Sequence, residues 1–416
     1  MIKKLLILSL LIQSLFAIDA TMEIVKKATN LPIIAISIST DSKDIAIAKK
    51  VRKMIVQDLA VSGHFNVSDV TINTTDSTIP DFTVLKEANV DLFMIINTNT
   101  DLGRLNLNYK LYDLNANTMV LNKQLSTNKK NRYPFLAHKA SIGINDYFEA
   151  PSIKWMDKFV IFSRYTSAKK SEIVIADYTL TYQKVVIKGG LNLFPKWATP
   201  AQKSFYYTTY NKFLPTIINY NIYTGKKKYI TKSDGMIVCS DVSNDGTKLL
   251  LTMAPNGQPD IYEYNLNTKR KKRLTKYRGI DVGAQYVEND TKFVFISDRL
   301  GKPNVFAKTI GSRGIERLVY HGKNNNSATT YKDYIVYTSK EGRGIFNLYL
   351  ISTQSDFLRP LTQNGKNQFP KFSSDGETII YTKQLNGRSS LGIIRLNYNK
   401  SFLFPLKSGK LQSIDW

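Results

Sequence analysis

Phe369-Pro-Lys-Phe-Ser-Ser-Asp-Gly-Glu-Thr-Ile-Ile-Tyr-Thr382 carries three signals in order: an aromatic anchor at Phe372, an Asp375-Gly376 turn, and an apolar run ending at Thr382. Asp-Gly supplies the positive backbone angles of a tight hairpin, so the phrase reads as strand, turn, strand. A second copy runs through Ser243-Asn-Asp-Gly246 into Lys248-Leu-Leu-Leu-Thr-Met253. Equivalent apolar strands occur at Lys158-Phe-Val-Ile-Phe-Ser163, Lys203-Ser-Phe-Tyr-Tyr-Thr208, Lys292-Phe-Val-Phe-Ile-Ser297 and Asp333-Tyr-Ile-Val-Tyr-Thr338. Counting residues 248–253 and 377–382, six such segments recur every 41 to 45 residues. That is the period of a four-stranded propeller blade.

The rest of each unit agrees. Anchors stand at Trp197, Val242, Tyr286 and Phe372. Strands of alternating character follow, such as residues 260–266 and 346–351, and several units end on a basic strand: residues 227–231, 271–275 and 359–362. Charge on an outer strand discourages edge-to-edge pairing. Each unit alone cannot bury its sheet faces, but units arranged radially pack face to face around a channel. The last residues, Ser413-Ile-Asp-Trp416, resemble the opening of a further unit, whereas the first unit opens short at Ile153-Lys-Trp155-Met-Asp157. The C-terminal strand is therefore expected to complete blade one.

Before residue 150 the pattern differs. Residues 32–39 read as a buried strand, and residues 41–61 as a helix capped by Asp41 or Ser42 and ended by Ser62-Gly63. Residues 91–98 form an apolar strand, residues 105–111 and 119–125 a hairpin, and residues 133–148 an amphipathic helix. The expected fold is multidomain, α/β plus all-β: a small N-terminal α/β domain with a mixed sheet over residues 21–150, then a six-bladed β-propeller over 151–416, closed by the C-terminal strand.

The N-terminus reads as an export signal over residues 1–20, cleaved near 17–20: Lys3 and Lys4, an apolar stretch, then small residues at Ala17 and Ala20. A periplasmic location follows, with no integral membrane segment beyond the signal. The net charge of +25 would suggest nucleic acid in a cytosolic protein, but export removes that partner. The single cysteine, Cys239, excludes an internal disulfide. The three histidines, His64, His138 and His321, fall in separate segments, and no Gly-x-Ser-x-Gly elbow or His-Glu-x-x-His helix is present. No cofactor, metal ligand set or catalytic residue is expected. A glycosidase-type carboxylate pair hidden among the 33 acidic residues, making a secreted propeller hydrolase or carbohydrate-active enzyme, is one alternative. A generic secreted scaffold is the other.

Several phrases resemble the TolB family of the Tol–Pal cell-envelope system. In the small domain these are Val56-Gln-Asp-Leu-Ala-Val-Ser-Gly-His-Phe-Asn-Val67, Ala88-Asn-Val-Asp91, Leu111-Tyr-Asp113, and Arg132-Tyr133 followed by Ala137-His138. In the propeller they include Pro195-Lys-Trp197, Thr231, Ser297-Asp-Arg-Leu-Gly-Lys-Pro303 and residues 369–376. The family's Pro-x-Trp-Ser-Pro-Asp-Gly repeat is degraded here: unit four has Glu288-Asn-Asp290 without glycine, and unit five keeps only Thr330-Tyr-Lys-Asp333. The resemblance implies a non-catalytic, monomeric binding protein that links inner-membrane TolA to the peptidoglycan-associated lipoprotein Pal. Other outer-membrane or peptidoglycan-associated proteins are further expected partners. It supports outer-membrane integrity and invagination during cell division. It places TolA contacts on the mature N-terminus, here Asp19, Ala20, Thr21, Met22, Glu23, Ile24 and Val25. Pal contacts fall at one mouth of the channel, on the loops between blades. Here these loops supply Asn192, Met236, Ile237, Arg278, Gly279, Asp281, Lys323, Asn324, Lys366, Asn367, Lys410 and Gln412. Arg278, Lys323, Lys366 and Lys410 would give that mouth four positive charges for an acidic partner.

Overall fold

Alternation of side chains along a strand decides how the first sheet is covered. The computed structural model describes residues 31–416; the export signal and residues 19–25 lie outside the described residues. The chain forms two units. The first runs to Ile153 and takes in Arg395–Lys400, and the second comprises Lys154–Ile394 and Ser401–Trp416.

In the first unit, β1 (Ile33–Ile38), β2 (Asn66–Ser68), β3 (Leu92–Asp101), β4 (Arg104–Asp113) and β5 (Thr118–Thr127) form one sheet in the order β2-β1-β3-β4-β5. β1 is parallel to β2 and β3, while the β3–β4 and β4–β5 pairs are antiparallel, so the sheet is mixed. Helices α1 (Ile45–Ser62) and α3 (Tyr133–Tyr147) cover one face, where Ile34, Ile36, Met94 and Leu107 meet Val51, Ile55, Leu59 and Ala140. The opposite face turns Ala35, Phe93 and Ile95 toward Leu85 of the short helix α2 (Thr83–Glu87) and Phe82.

The N-cap of α1 is Asp44, not Asp41 or Ser42. Asp44 Oδ1 accepts the Ile47 amide at 3.2 Å, and its carboxylate pairs with Lys130 at 2.5 Å. The two expected caps are occupied elsewhere. Ser42 Oγ accepts the Thr98 amide and Asp41 Oδ2 accepts the Asp76 amide. The far end follows the sequence reading, with Gly63 at φ 79° in the left-handed region that favours glycine.

Asp58 on α1 and His138 on α3 lock the two helices together. His138 Nδ1 stands 2.8 Å from Asp58 Oδ2 with both side chains wholly buried, and Ser141 Oγ donates to the same oxygen at 3.1 Å.

The second unit is a set of propeller-like sheets. Four are four-stranded. Three of these are sequential quartets spanning residues 192–232, 237–273 and 281–317. In the fourth, the C-terminal strand Lys410–Asp415 pairs antiparallel with Val160–Ser167, beside Lys170–Ala176 and Gln183–Ile187. The remaining eight strands, residues 325–405, form one sheet. Its two quartets are joined by a single parallel bridge, Phe346↔Lys366, where the repeat count had suggested separate blades.

Both faces of the second strand in a quartet are buried, which explains the uninterrupted apolar runs. Leu249 and Leu251 pack with Tyr206 and Ile217 of the preceding sheet, while Leu250 between them packs with Ala284 and Phe293 of the following one. Phe293 and Phe295 repeat the arrangement backward, and Val294 and Ile296 forward against Ile335 and Tyr337. The Asp-Gly turns are structural. Asp245 Oδ1 accepts from Ser243 Oγ at 2.6 Å and from the Thr247 amide at 2.9 Å, and these bonds hold its carboxyl down at about 2. Gly246 and Gly376 have φ of 70° and 78°. Where glycine is missing, Glu288, Asn289 and Asp290 adopt positive φ themselves. The basic strands at residues 227–232 and 271–273 are the outermost of their sheets, with Lys227, Lys228, Lys271, Lys272 and Arg273 exposed.

His138→Ala should destabilise the protein by about 3 kcal/mol, because it strips a wholly buried carboxylate of a principal partner. Denaturant titration checks this; a loss below about 1 kcal/mol would mean that the pair does not lock α1 to α3.

Candidate functional site

Each quartet leaves one edge of its innermost strand outside the ladders, apart from the single Phe346↔Lys366 bridge, and the side chains along that edge decide what the channel can hold. The six innermost strands are Asn192–Trp197, Ile237–Val242, Asp281–Val287, Asn325–Tyr331, Lys366–Phe372 and Lys410–Asp415. Each lies against the next, and the last lies against the first. All six contribute to a cavity of about 350 Å³.

The residue that precedes each anchor points its polar group along this wall. Lys196 Nζ sits 3.1 Å from Asp241 Oδ1 and 3.1 Å from Asp415 Oδ1. The second oxygen of each carboxylate takes a backbone amide from the neighbouring sheet: Asp415 Oδ2 from Trp197 at 2.8 Å, Asp241 Oδ2 from Tyr286 at 2.9 Å. Gln285 makes the equivalent link, accepting from the Thr330 amide at 3.3 Å. Burial alone would depress the Lys196 amine, but the two carboxylates and their hydrogen bonds push it well above the ordinary lysine value. Lys371 also lines the cavity; burial and the nearby Lys196 charge hold its amine below that value. Cys239 lies in the same wall, buried, with burial pushing its thiol far up and away from reactivity. At the end of the chain, Trp416 Nε1 donates to Phe372 O at 2.9 Å and its ring lies 5.5 Å from Trp155.

The twelve residues assigned to the channel mouth divide by burial. Arg278, Lys323, Lys366 and Lys410 are all exposed. Lys366 and Lys410 line one polar concavity of about 400 Å³ together with Gln384 and Asn386. Met236, Gly279, Asn324 and Gln412 are partly exposed, and Met236 also lines the channel cavity. Asn192, Ile237, Asp281 and Asn367 are buried. Two of these asparagines close the turn that precedes their strand: Asn192 Nδ2 donates to Gly189 O at 2.8 Å and Asn367 Nδ2 to Asn364 O at 3.0 Å. Asp281 is held by Arg299 Nη2 at 2.9 and 3.1 Å. These four side chains are packed within the fold, whereas the four cations are exposed.

Sequence reasoning missed Lys196, Asp241, Lys371 and Asp415. Their signal was available, since Lys196, Asp241 and Lys371 immediately precede the anchors Trp197, Val242 and Phe372, and Asp415 precedes Trp416 in the segment that resembles the opening of a unit.

The histidines do not build a reaction centre with one another. Ser141 donates to Asp58 and to Ala137 O, so its hydroxyl is committed away from the His138 ring. His321 Nδ1 stands 2.9 Å from the Tyr337 hydroxyl. Among the described residues no group of three or more His, Cys, Asp and Glu side chains is placed to hold a metal ion. No helix among them is long and apolar enough to cross a membrane.

Asp415→Ala should cost about 3 kcal/mol, because it leaves Lys196 with one carboxylate and the Trp197 amide with none. Lys410→Ala, an exposed change on the same strand, should stay within about 0.5 kcal/mol. Thermal or urea unfolding of the two variants checks the contrast.

Comparison with known proteins gives a consistent answer. The family described as the TolB amino-terminal domain matches residues 20–120, and that described as the TolB beta propeller domain matches residues 156–416. The chain is 49% identical to the Tol-Pal system protein TolB of Wolinella succinogenes, over 97% of this chain and 98% of that one. It is 44% identical to the protein of the same name in Helicobacter hepaticus, over 99% of both chains. The crystal structure of TolB from Acinetobacter baumannii superimposes with a TM-score of 0.78 at 22% identity, covering 92% of this chain and 96% of that one.

Proposed function

The chain belongs to the TolB family of Tol–Pal system proteins, and from that premise we propose that it is a non-catalytic periplasmic protein that links TolA to the lipoprotein Pal. In this reading it acts as a monomer, and its second unit is a six-bladed ring closed by the C-terminal strand. Its contribution to the cell is outer-membrane integrity and invagination during division. Pal docks at the mouth where the connections between sheets gather, and residues 19–25 carry the TolA contact.

The observation that carries the Pal assignment is the exposure of Arg278, Lys323, Lys366 and Lys410 on four successive connections into innermost strands. Four cations converging on one opening attract an acidic surface, raise the association rate and make it sensitive to salt. The partly exposed Met236 supplies an apolar centre to a polar rim, the composition expected of a protein interface.

Reversing two of the charges, Lys323→Glu with Lys366→Glu, should weaken Pal binding at least tenfold and flatten its dependence on ionic strength. Calorimetry at two salt concentrations reads both effects, with the melting temperature as the check on folding. Affinity that stays within about twofold with an unchanged salt slope would place the contact face elsewhere. Deleting residues 19–25 should abolish TolA capture and leave Pal affinity unchanged; TolA binding at the original strength would remove the N-terminal assignment.

A further inference from the structure

Two consecutive sheets of the second unit carry far more charge on their outer edge than the others. Residues 223–234 and 266–275 are their outermost strands with the flanking turns. They hold nine lysines and arginines, all exposed, against one acid, Asp234. The equivalent stretches of the other sheets, residues 180–191, 311–322, 353–364 and 398–409, carry at most two cations each. Protection against edge-to-edge pairing is common to all six edges, so it does not account for the excess on two of them. The basic strands are neighbours in space, since Lys271 Nζ donates to Lys232 O at 3.0 Å. Among the described residues, Arg273 is the one cation of the nine in an ion pair, with Asp260. Lys227, Lys228, Arg270 and Lys272 make no side-chain hydrogen bond among them.

Composition selects the partner. Seven of the nine cations are lysine, and no aliphatic side chain of either stretch is exposed. Protein interfaces are depleted of lysine and carry an apolar centre, so this face is a poor match for an acidic protein. The exposed rings are Tyr223 and Tyr229, at 70% and 55%. Tyrosine rings settle at the level of lipid headgroups, and clusters of basic residues are drawn to anionic lipid.

We propose that this basic face docks on a membrane surface rich in anionic phospholipid. The lysines and arginines lie against the lipid phosphates, and Tyr223 and Tyr229 set their rings among the headgroups. The inference uses the expected export, which removes nucleic acid from reach, and is independent of the Pal assignment at the mouth.

Co-sedimentation with vesicles tests it, using the chain without residues 1–20, whose apolar stretch would bind lipid by itself. Phosphatidylcholine vesicles with about 30% phosphatidylglycerol should bind it saturably, at least tenfold tighter than pure phosphatidylcholine, and several-fold more weakly at about 0.3 M salt. Replacing Lys227, Lys228, Arg270 and Lys272 by glutamine should weaken that binding at least tenfold. The same change at Lys184, Lys188, Arg313 and Lys407, which removes equal charge from other sheets, should weaken it less than threefold. Tyr223→Ser with Tyr229→Ser should weaken it at least threefold and leave the salt dependence unchanged. Melting temperatures of these surface variants check folding. Equal losses from the two charge sets, equal binding to pure phosphatidylcholine, or no effect of the tyrosine changes would overturn the assignment. Polyglutamate that binds as tightly as the anionic vesicles, at equal charge concentration, would put an acidic peptide on this face instead.

Discussion

A single lysine amine held between two carboxylates ties together sheets that are far apart in sequence. Lys196 is on the first strand of one quartet, Asp241 on the first strand of the next, and Asp415 on the last strand of the chain. An innermost strand has a free edge, and its unpaired amides must be satisfied by something other than a ladder. Here the carboxylates do so across the gap between sheets, at Trp197 and Tyr286. The same two groups that neutralise Lys196 therefore set the spacing of neighbouring sheets. The C-terminal strand adds its ladder with Val160–Ser167 and the Trp416 bond to Phe372, so one short segment touches three sheets.

That arrangement separates two tasks. In the channel wall Lys196 and Lys371 balance Asp241 and Asp415, and the bonds of both carboxylates hold sheets together. The mouth is built differently. Asn192, Asn367 and Asp281 are buried and fix the turns, which leaves Arg278, Lys323, Lys366 and Lys410 free to face solvent. In the proposed docking, exposed cations on such connections would steer an acidic partner at long range.

The sequence made the strands legible because each was marked by a local signal. Runs such as residues 292–297 are apolar on both faces, and the structure buries both faces. Gly63, Gly246 and Gly376 fell where positive φ was expected. Asp44 was missed as a helix cap because three candidates lie within four residues, and only long-range bonds to β3 and Asp76 decide among them. The burial of Asn192 and Asn367, two of the residues expected at the mouth, was not legible for a related reason. A polar residue at the start of a strand looks the same in sequence whether it faces solvent or closes the preceding turn. The Lys196, Asp241 and Asp415 cluster joins residues up to 219 positions apart, which no local pattern encodes, although Lys196 and Asp241 stood beside anchors already identified.

Hydrogen exchange of the backbone, with and without an excess of Pal, tests the central claim most directly. The account predicts slowed exchange around residues 276–281, 321–325, 363–367 and 407–411, with little change in the outermost strands at 227–232 and 271–273. Protection confined to the outermost strands or to the first unit, with the mouth unaffected, would contradict it.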